Sequence, residues 1–282
     1  MYTSQLLKVN DRPKALRFLL LSAVLWSLGG LFIKYITWSP LAIAGTRGLL
    51  AALTTAVLVP EARQWPKNKF VWLAALCYAG LCGTIVVSTK LTTSANAIFL
   101  QYTAPIHVII ISALVLKEKI KRLDVLVIVS TFLGMALFFA GEFSWQNLVG
   151  NLFGVASGIF FAVMVISFRY TDGAEPCSAI LAGNLILFFL LAPFISQPFP
   201  SWQGCLSLVF LGTVQIGLAY VMYSRAIVHV APLEGVIIAA VEPILNPLWV
   251  FFFIGERPSD LAILGGLIVM STVTFYCWKK HS

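Results

Sequence analysis

The sequence predicts an all-α integral membrane protein in which ten transmembrane helices form two inverted five-helix repeats. Of its 282 residues, 60% are hydrophobic and only 11% are charged, whereas about a quarter of the residues in a soluble domain are charged. The apolar residues form ten blocks, each long enough to cross a bilayer. Parts of the first half also recur, at low identity, in the second half.

The ten apolar blocks define the predicted spans, because about 20 apolar residues are needed to cross a hydrocarbon core of ~30 Å. The spans are placed at residues 16–37, 40–60, 70–89, 93–116, 122–141, 148–170, 176–196, 203–226, 232–254 and 260–279. Every block is too long for a transmembrane strand, so each span is predicted to be a helix. Short connectors separate them: "TWSP" precedes the second span and "SQPFPSW" precedes the eighth.

The lysines and arginines predict that both termini are cytoplasmic. In that orientation 15 of the 19 basic residues lie on the inner side, while Lys34, Lys90 and Arg257 lie on the outer side. Positive charge is retained on the cytoplasmic side during insertion. We therefore expect an integral protein of the cell membrane, the inner membrane of a two-membrane cell, with the lipid bilayer as one partner.

The charge and the cysteines exclude several other classes. The net charge of +8 does not predict a nucleic-acid partner, because the basic residues lie between apolar blocks and form no single basic face. The five cysteines lack the spacing of a zinc site or of a disulfide framework. The sequence carries no phosphate-binding loop, zinc-protease helix, serine nucleophile motif or dinucleotide fingerprint. We expect a protein that is not an enzyme and has no catalytic residues, metal site or cofactor.

Two alignments relate the halves of the chain. "ANAIFLQYTAPIHVIIISALVLKEK" aligns without a gap on "LEGVIIAAVEPILNPLWVFFFIGER" at an offset of 138 residues, so that Pro105 matches Pro243. "LWSLGGLFIKY" aligns on "FFAVMVISFRY" at an offset of 135 residues, which pairs Lys34 with Arg169. These matches predict five-helix repeats over residues 1–141 and 142–282. Since five is odd, the second repeat enters the membrane from the opposite side, as in many secondary transporters.

Four stretches resemble the EamA-type members of the drug/metabolite transporter superfamily: "LLSAVLWSLGGLFIK", "SPLAIAGTRGLLAAL", "TSANAIFLQYTAPIHVIIISALVLKEK" and "APLEGVIIAAVEPILNPLWVFFFIGERP". The resemblance covers both halves and implies a ten-helix inverted-repeat fold with a central cavity, often used to export amino acids or other small metabolites. The second half departs from the first, because no arginine matches Arg47 in the region "LAGNLIL". A substrate site that uses Arg47 would therefore be asymmetric.

Glu242 lies within the apolar run "IIAAVEPILNPLWVFFF". It is about ten residues, or ~15 Å, into its predicted helix and thus near the bilayer midplane. A charge at that depth costs about 2.5–3.5 kcal/mol on insertion scales, so Glu242 should be protonated or face the bundle interior. We consider it a candidate for binding a substrate cation or a proton. A structural hydrogen bond made by the neutral acid is the alternative.

Arg47 lies about seven residues, or ~10 Å, below the outer end of the second predicted span. Its guanidinium keeps its proton and therefore needs a carboxylate, carbonyl groups or water as partners. Arg47 is a candidate for holding an anionic group of a substrate. The alternative is that its long side chain reaches back to the outer interface.

Uncharged polar residues near the midplane of the fourth span are further candidates. Gln101 and Tyr102 lie one helical turn from Pro105, where a missing backbone donor leaves carbonyl groups available. His107 either changes its protonation during transport or makes a hydrogen bond between helices.

The second half and the aromatic residues complete the candidate substrate site. Asn246 follows Glu242 by four residues, so the two share a helix face, and Gln215 adds another amide in the eighth span. Trp26 and Tyr220 could stack on a flat substrate, although packing is the default role of a single aromatic residue.

These residues together favour a secondary active transporter that exports small polar metabolites, such as amino acids, by alternating access. Arg47 would hold the carboxylate and Glu242 the ammonium group, unless the two neutralise one another. A substrate gradient or exchange for protons would drive transport, since no ATP-binding motif is present. The alternatives are an exporter of lipophilic cations or nucleotide-related compounds and, less favoured, an uncoupled channel. The sequence does not define an oligomeric state.

Overall fold

The computed structural model describes residues 12–64, 66–115, 117, 122–142, 147–195, 198–230, 235, 238–255, 257 and 259–281. The regular elements in these ranges are all helical. The α-helices of the first half are α1 (Arg12–Ser27), α2 (Gly29–Tyr35), α3 (Pro40–Leu58), α4 (Lys69–Leu91), α5 (Ser94–Gln101), α6 (Ala104–Val115) and α7 (Arg122–Glu142). Those of the second half are α8 (Leu148–Ser167), α9 (Glu175–Leu191), α10 (Trp202–Phe210), α11 (Ala219–Ile227), α12 (Glu242–Ile254) and α13 (Asp260–His281). A π-helical segment, Leu211–Leu218, joins α10 to α11, and a 3-10 turn, Ala239–Val241, leads into α12.

Seven helical segments of the described chain are long and apolar enough to cross a membrane: Arg12–Tyr35, Pro40–Leu58, Lys69–Leu91, Ser94–Val115, Leu148–Tyr170, Glu175–Phe194 and Trp202–Ile227. They correspond to predicted spans one to four and six to eight, and they confirm an all-helical integral membrane protein. Helices α7, α12 and α13 fall on the other three predicted spans. The apolar helix α12 contains only 13 residues, because the 3-10 turn Ala239–Val241 comes directly before it. The number of ten spans stays a prediction.

Large apolar side chains cover the outside of the bundle. Val57, Leu114 and Phe252 are 70%, 76% and 70% exposed. Soluble proteins rarely expose contiguous apolar patches larger than a few hundred Å². This surface therefore fits contact with lipid chains.

Polar connector residues determine where two of the spans begin. Ser39 caps α3 by accepting a hydrogen bond from the Ala42 amide at 3.1 Å, and Pro40 occupies the first position of the helix. Proline is well tolerated there, because an amide in the first turn has no helical acceptor. Thr93 caps α5 in the same way through the Asn96 amide. Side-chain capping thus positions the second and fourth spans.

Two prolines interrupt helices that meet at the centre of the bundle. Helix α5 ends at Gln101, and Pro105 lies in the first turn of α6. In the second half, Pro243 is the second residue of α12, directly after the 3-10 turn. Because proline has no N–H, the carbonyl groups of Gln101 and Ala239, four residues earlier, receive no α-helical hydrogen bond from these positions. The repeat alignment pairs the same two prolines.

The helices of the two halves pack against one another across the bundle. Helix α8 packs against α4 and against α5 and α6, while α9 packs against α3 and α4. Helix α1 packs against α11 and α12, and α3 packs against the π-helical segment. Helix α7 packs against α13. Helices from both halves therefore enclose the centre of the molecule.

Glycines spaced four residues apart allow α8 to approach its neighbours closely. Gly150, Gly154 and Gly158 lie on one face of this helix. A Cβ atom on Gly154 would lie 2.8 Å from the Cβ of Leu100, and one on Gly158 would lie 2.7 Å from the carbonyl oxygen of Gln101. This is the close packing through small residues that is common between membrane helices.

Candidate functional site

A small polar cavity lies where α1 to α5, the π-helical segment, α11 and α12 meet. Its volume is about 30 Å³, close to the volume that one water molecule occupies in the liquid. Six of the eight residues predicted for the site line it: Trp26, Arg47, Gln101, Tyr220, Glu242 and Asn246. The structure thus brings together candidates from both halves of the chain.

Arg47 lies inside the bundle, away from the outer interface. The residue is 2% exposed, and its Nη2 donates a hydrogen bond to the carbonyl oxygen of Cys82 at 2.9 Å. Its buried Nε has no hydrogen-bond partner among the described residues. The interfacial alternative for Arg47 is therefore wrong in this structure, and the guanidinium keeps an unused donor at the cavity.

Glu242 is buried at the start of α12, where it is 5% exposed. Its Oε2 lies 3.1 Å from the hydroxyl oxygen of Tyr102 in the other half of the chain. The same hydroxyl donates a hydrogen bond to the carbonyl oxygen of Ala239. Pro243 has no amide to donate to this carbonyl, which instead accepts from the Glu242 amide at the end of the 3-10 turn. Tyr102 thus connects the α5–α6 junction to the break before α12.

Arg47 and Glu242 line the same cavity without forming an ion pair, since no nitrogen–oxygen distance between them is within 4.0 Å. They are near enough to interact electrostatically. The sequence left open that Arg47 and Glu242 neutralise one another. In the structure the two side chains form no direct ion pair. The two charged groups are more than 4.0 Å apart.

Amide side chains form much of the remaining polar lining. The Ser94 hydroxyl donates to Asn246 Oδ1 at 2.7 Å, and Gln215 Nε2 donates to the carbonyl oxygen of Trp26 at 3.1 Å. Gly30 leaves room for this arrangement, because a Cβ atom there would lie 2.4 Å from Asn246 Oδ1. The absence of a side chain at Gly30 lets α2 approach α5 and α12.

Four buried polar atoms of the cavity residues have no hydrogen-bond partner within the described ranges: Trp26 Nε1, Arg47 Nε, Gln215 Oε1 and Asn246 Nδ2. Most buried polar groups in proteins are paired with protein atoms or ordered water. Three unpaired donors and one unpaired acceptor at a single cavity indicate a site that a polar molecule completes.

An aromatic cluster forms one wall of the cavity. The ring centroid of Trp26 lies 4.5 Å from that of Tyr220 and 4.9 Å from that of Tyr223. Tyr78 packs edge-on against Tyr220 with a centroid distance of 4.7 Å. Trp26 and Tyr220 line the cavity, whereas Tyr78 and Tyr223 lie behind them. The cluster therefore packs the interior and also presents two rings to the site.

His107 is separated from the other candidates, because it does not line the cavity. Its Nε2 lies 3.1 Å from the hydroxyl oxygen of Thr103, four residues earlier in the chain. This contact joins the α5–α6 turn to the first turns of α6 and is not a contact between packed helices. The sequence placed His107 near the bilayer midplane but could not predict the direction in which its side chain points.

Several functional groups were not identified from the sequence. Cys82 and Ala239 contribute backbone carbonyl oxygens, which the identity of a side chain does not reveal. Ser94 contributes a hydroxyl from the first turn of α5. The Gly29–Gly30 pair inside an apolar span was an available signal, since adjacent glycines within a membrane helix indicate a close approach.

A second, larger cavity of about 660 Å³ lies at the end of the bundle where α8 and α11 terminate. Charged and titratable side chains line it, namely Glu61, Arg169, Asp172, Arg225 and His229. No group of three or more His, Cys, Asp and Glu residues that could hold a metal ion occurs in the described part of the chain.

The sequence model of the EamA-like transporter family matches this chain twice, at residues 13–140 and at residues 148–278. One match thus lies in each half of the sequence. Together they cover most of its length.

Proteins named as transporters are similar to this chain over most of their length. An uncharacterized transporter of Archaeoglobus fulgidus is 22% identical over 270 residues, which are 93% of this chain and 95% of that protein. A probable terminal-alkyne amino-acid exporter of Streptantibioticus cattleyicolor is 24% identical over 284 residues, which are 92% of each chain. The family and these relatives are transporters and not enzymes, which confirms the prediction from the sequence.

A solved crystal structure shares the fold. It superimposes with a TM-score of 0.72 at 18% sequence identity, and the match covers 96% of this chain and 100% of the other. At this identity the similarity is one of fold.

Proposed function

Because this chain belongs to the EamA-like transporter family, we propose that it is a secondary active transporter that exports amino acids by alternating access. The central cavity carries the proposal. It holds a buried guanidinium and a buried carboxyl group, Arg47 and Glu242, that line one space without forming an ion pair. These two groups suit a small molecule that carries both charges, once the helices move to admit it.

An α-amino acid has a carboxylate and an ammonium group on one carbon, and the cavity offers a partner for each. Arg47 uses one donor for Cys82, and its remaining donors can hold a carboxylate in two hydrogen bonds. Glu242 can accept from the ammonium group. The name of the Streptantibioticus cattleyicolor relative, a probable amino-acid exporter, supports the same substrate class.

A lipophilic cation is the second candidate, because the rings of Trp26 and Tyr220 lie on the same cavity as Glu242. Aromatic faces attract cations, most strongly where water is excluded. Arg47 argues against this candidate, since its fixed positive charge repels a cation that carries no anionic group. A nucleotide-related compound would suit Arg47 and the rings but leaves Glu242 without a role.

The proposed architecture has ten spans in two inverted repeats, over residues 1–141 and 142–282. The packing supports it: α8 contacts α4 and the α5–α6 pair, and α1 makes the corresponding contacts with α11 and α12. Helices α3 and α9 pack against each other, as do α7 and α13. A twofold axis in the membrane plane would produce this pattern. Two repeats related in this way have two nearly equivalent packings, which open to opposite sides.

The size of the central cavity also supports alternating access. A volume of about 30 Å³ accommodates no more than a water or two, so an amino acid enters only after the helices move. The larger cavity lies beside Arg169 and Arg225, at the end of the bundle that the positive charges assign to the cytoplasm. We assign it as the entrance for exported substrate. The small central volume also argues against a continuous channel.

A binding screen on the purified protein tests the substrate class. An amino acid should raise the unfolding temperature, by the equivalent of about 2.7 kcal/mol at a hundred times its dissociation constant. Two matched ligands are the controls: the amine that lacks the carboxylate and the carboxylic acid that lacks the amine. Both should bind much more weakly, because each leaves one buried charge unpaired. If the amine alone stabilised the protein equally, the proposal of an amino-acid substrate would be contradicted and a cation would be favoured.

Uptake into proteoliposomes then tests transport itself. Vesicles loaded with an unlabelled amino acid should accumulate the labelled one by exchange. Vesicles without the protein, and vesicles that contain Arg47→Ala, are the controls. Binding without exchange would contradict the proposal of a transporter for that ligand.

A further inference from the structure

Two lysines at one end of the bundle each donate a hydrogen bond to the end of the other's helix. Lys34, in the last turn of α2, donates from Nζ to the carbonyl oxygen of Thr92, the residue after α4, at 2.9 Å. Lys90, in the last turn of α4, donates from Nζ to the carbonyl oxygen of Ile36, the residue after α2. The two bonds are therefore reciprocal, and they join the ends of α2 and α4.

The ends of these two helices favour such bonds. Carbonyl groups at the C-terminal end of a helix carry partial negative charge, which attracts a cation. Ile36 is fully buried and Thr92 is 5% exposed, so water competes little for the two carbonyl oxygens. The backbone does not require the lysines, since the Ile36 carbonyl also accepts from the Trp38 amide at 3.0 Å. The effect of the two bonds is to hold α2 against α4.

Repulsion between the two ammonium groups limits the stability of this contact. Lys34 and Lys90 are near enough to interact electrostatically, and like charges at short range repel each other. Hydrogen bonds thus favour the joined arrangement, while charge opposes it. A contact with this balance can form and separate during a transport cycle.

The reciprocal bonds lie next to the central cavity, on its outer side. Ile33 and Thr89 line the cavity, and they directly precede Lys34 and Lys90 in the chain. Both lysines are at the outer ends of their spans in the orientation that the positive charges predict. Joining α2 to α4 at this point therefore closes the cavity towards the outside.

The residues that match the two lysines in the second half lie at the opposite end of the bundle. An offset of 135 residues, at which Lys34 matches Arg169, also matches Lys90 to Arg225. Both arginines line the cavity of about 660 Å³ at the cytoplasmic end. A pair of cationic side chains thus occurs at each end of the proposed transport path, and the two pairs are related by the repeat.

The acceptors of the two bonds also have counterparts at the cytoplasmic end. At the same offset, Ile36 matches Thr171 and Thr92 matches Ile227. Thr171 and Ile227 lie at the ends of α8 and α11 and line the same large cavity as the arginines. Helix α2 packs against α4, whereas α8 makes no comparable contact with α11 in the described chain. The arrangement that is joined on the outer side is therefore open on the inner side.

We infer that Lys34 and Lys90 form an outer gate of the transport path, which is closed in this structure. Arg169 and Arg225 form the matching inner gate, which closes when the outer gate opens. The inference rests on the proposed function, in which two inverted repeats exchange their packings. In the opposite state the arginines donate to the carbonyl groups at the ends of α11 and α8, and the lysines release theirs.

Spin labels at the outer ends of α2 and α4 measure the outer gate in the purified protein. Tyr35 and Leu91 are exposed and follow the two lysines, so labels on Tyr35→Cys and Leu91→Cys in a cysteine-free background report the distance between the helix ends. Lys34→Met and Lys90→Met should each raise the ratio of long to short distances about tenfold, because each removes one hydrogen bond of a charged group. Lys90→Arg keeps a cationic donor and should stay close to the unsubstituted protein.

Lys69→Met is the matched control for the lysine variants. It removes the same charge from the other end of α4, where Lys69 lies over the ring of Phe70, and it should leave the ratio of distances unchanged. An unchanged ratio in both Lys34→Met and Lys90→Met, or an equal change in Lys69→Met, would overturn the outer gate.

Substitutions at the inner gate should act in the opposite direction. Arg169→Met and Arg225→Met each remove a bond that forms only when the outer gate is open, so the ratio of long to short distances should fall. In the double variant of Lys90→Met and Arg225→Met the two effects should cancel, which a merely structural role of either residue does not predict. A double variant with the ratio of Lys90→Met alone would contradict the pairing of the two gates.

The distance and exchange measurements separate the gates from the proposed function. If the ratios respond as expected but no amino acid is exchanged, the gates stand and the substrate class is wrong. If amino acids are exchanged but the ratios do not respond, the function stands and the gates are wrong. Because the distances are measured in the purified protein, the result does not depend on the orientation of the chain in the membrane.

Discussion

At the scale of single residues, exchange of substrate for protons requires that the carboxyl group of Glu242 gains and loses a proton. A proton and a substrate ammonium group compete for this one carboxylate, so wild-type affinity should rise with pH and fall as Glu242 is protonated. Glu242→Gln keeps the shape and can still donate to Tyr102, but it carries no charge. Its affinity should be weak and independent of pH. Binding across a pH series, and uptake across an imposed pH gradient, measure both effects.

The matched comparison for Glu242→Gln is Glu242→Asp, which keeps the charge on a shorter side chain. Glu242→Asp should retain a pH-dependent affinity even where its rate is reduced. Wild-type rates and a wild-type pH profile in Glu242→Gln would leave Glu242 with only a structural hydrogen bond.

At the position of Arg47, the planar guanidinium can bond Cys82 and a substrate carboxylate at once. Arg47→Lys keeps the charge but provides no planar fork for two parallel hydrogen bonds. Uptake should fall at least about tenfold, since a hydrogen bond to a charged group contributes about 1.5–3 kcal/mol. The unfolding temperature should change little by comparison. Transport by the lysine variant at the wild-type rate would remove Arg47 from the site.

The sequence identified Arg47 and Glu242 because a charge within an apolar run is costly and seldom occurs without a function. It could not predict the direction of His107 or the bond from Tyr102 to Ala239. The spans are apolar on most faces, so periodicity does not show which side of a helix faces the centre. The two ends of the Tyr102 bond also lie 137 residues apart in the chain, and only the packed fold brings them together.

At the scale of the elements, α8 meets the α5–α6 junction through Gly158. A Cβ atom there would lie 2.5 Å from Thr103 Oγ1 and 2.7 Å from the Gln101 carbonyl oxygen. Gly158→Ala should therefore lower the free energy of unfolding by about 1–3 kcal/mol. Gly83→Ala is the control, because its Cβ would meet only the end of the Leu187 side chain at 3.3 Å. Thermal unfolding in one detergent compares them, and equal unfolding temperatures would show that α8 adjusts without cost.

Apolar length predicted the positions of seven spans, and proline chemistry predicted the missing backbone donor at Pro105. The interruptions of the fourth and ninth spans before Pro105 and Pro243 were not predicted. The interruption at Leu28 and the π-helical segment Leu211–Leu218 were not predicted. Neither contains proline, and the two irregular regions contact each other, since Gln215 donates to the carbonyl oxygen of Trp26. Both irregular regions therefore belong to the packing between the two halves. Short π-helical turns are frequent at functional sites.

At the scale of the whole molecule, the two proposed repeats surround a site that differs between them. In α3 the site has Arg47, whereas the matching region of α9 has Asn184. The Asn184 amide is satisfied within the protein, because it accepts from the Tyr78 hydroxyl at 3.2 Å and donates to the Ile180 carbonyl at 3.0 Å. In the proposed transport cycle, a substrate with two unlike ends would therefore bind in one orientation. This agrees with the asymmetry that the sequence predicted.

The orientation of the chain in the membrane can be tested by labelling single cysteines. Thr37 and Asp172 are both exposed and occupy matching positions, at an offset of 135 residues, after the first span of each repeat. If each repeat has five spans, five crossings separate them, so they lie on opposite sides. The positive charges assign Thr37 to the outside and Asp172 to the cytoplasm. In a cysteine-free background, an impermeant maleimide should label Thr37→Cys on intact cells and label Asp172→Cys only after the membrane is opened. Labelling of both from one side would contradict the inverted repeats, whereas labelling in the reverse order would keep the repeats and contradict the cytoplasmic termini.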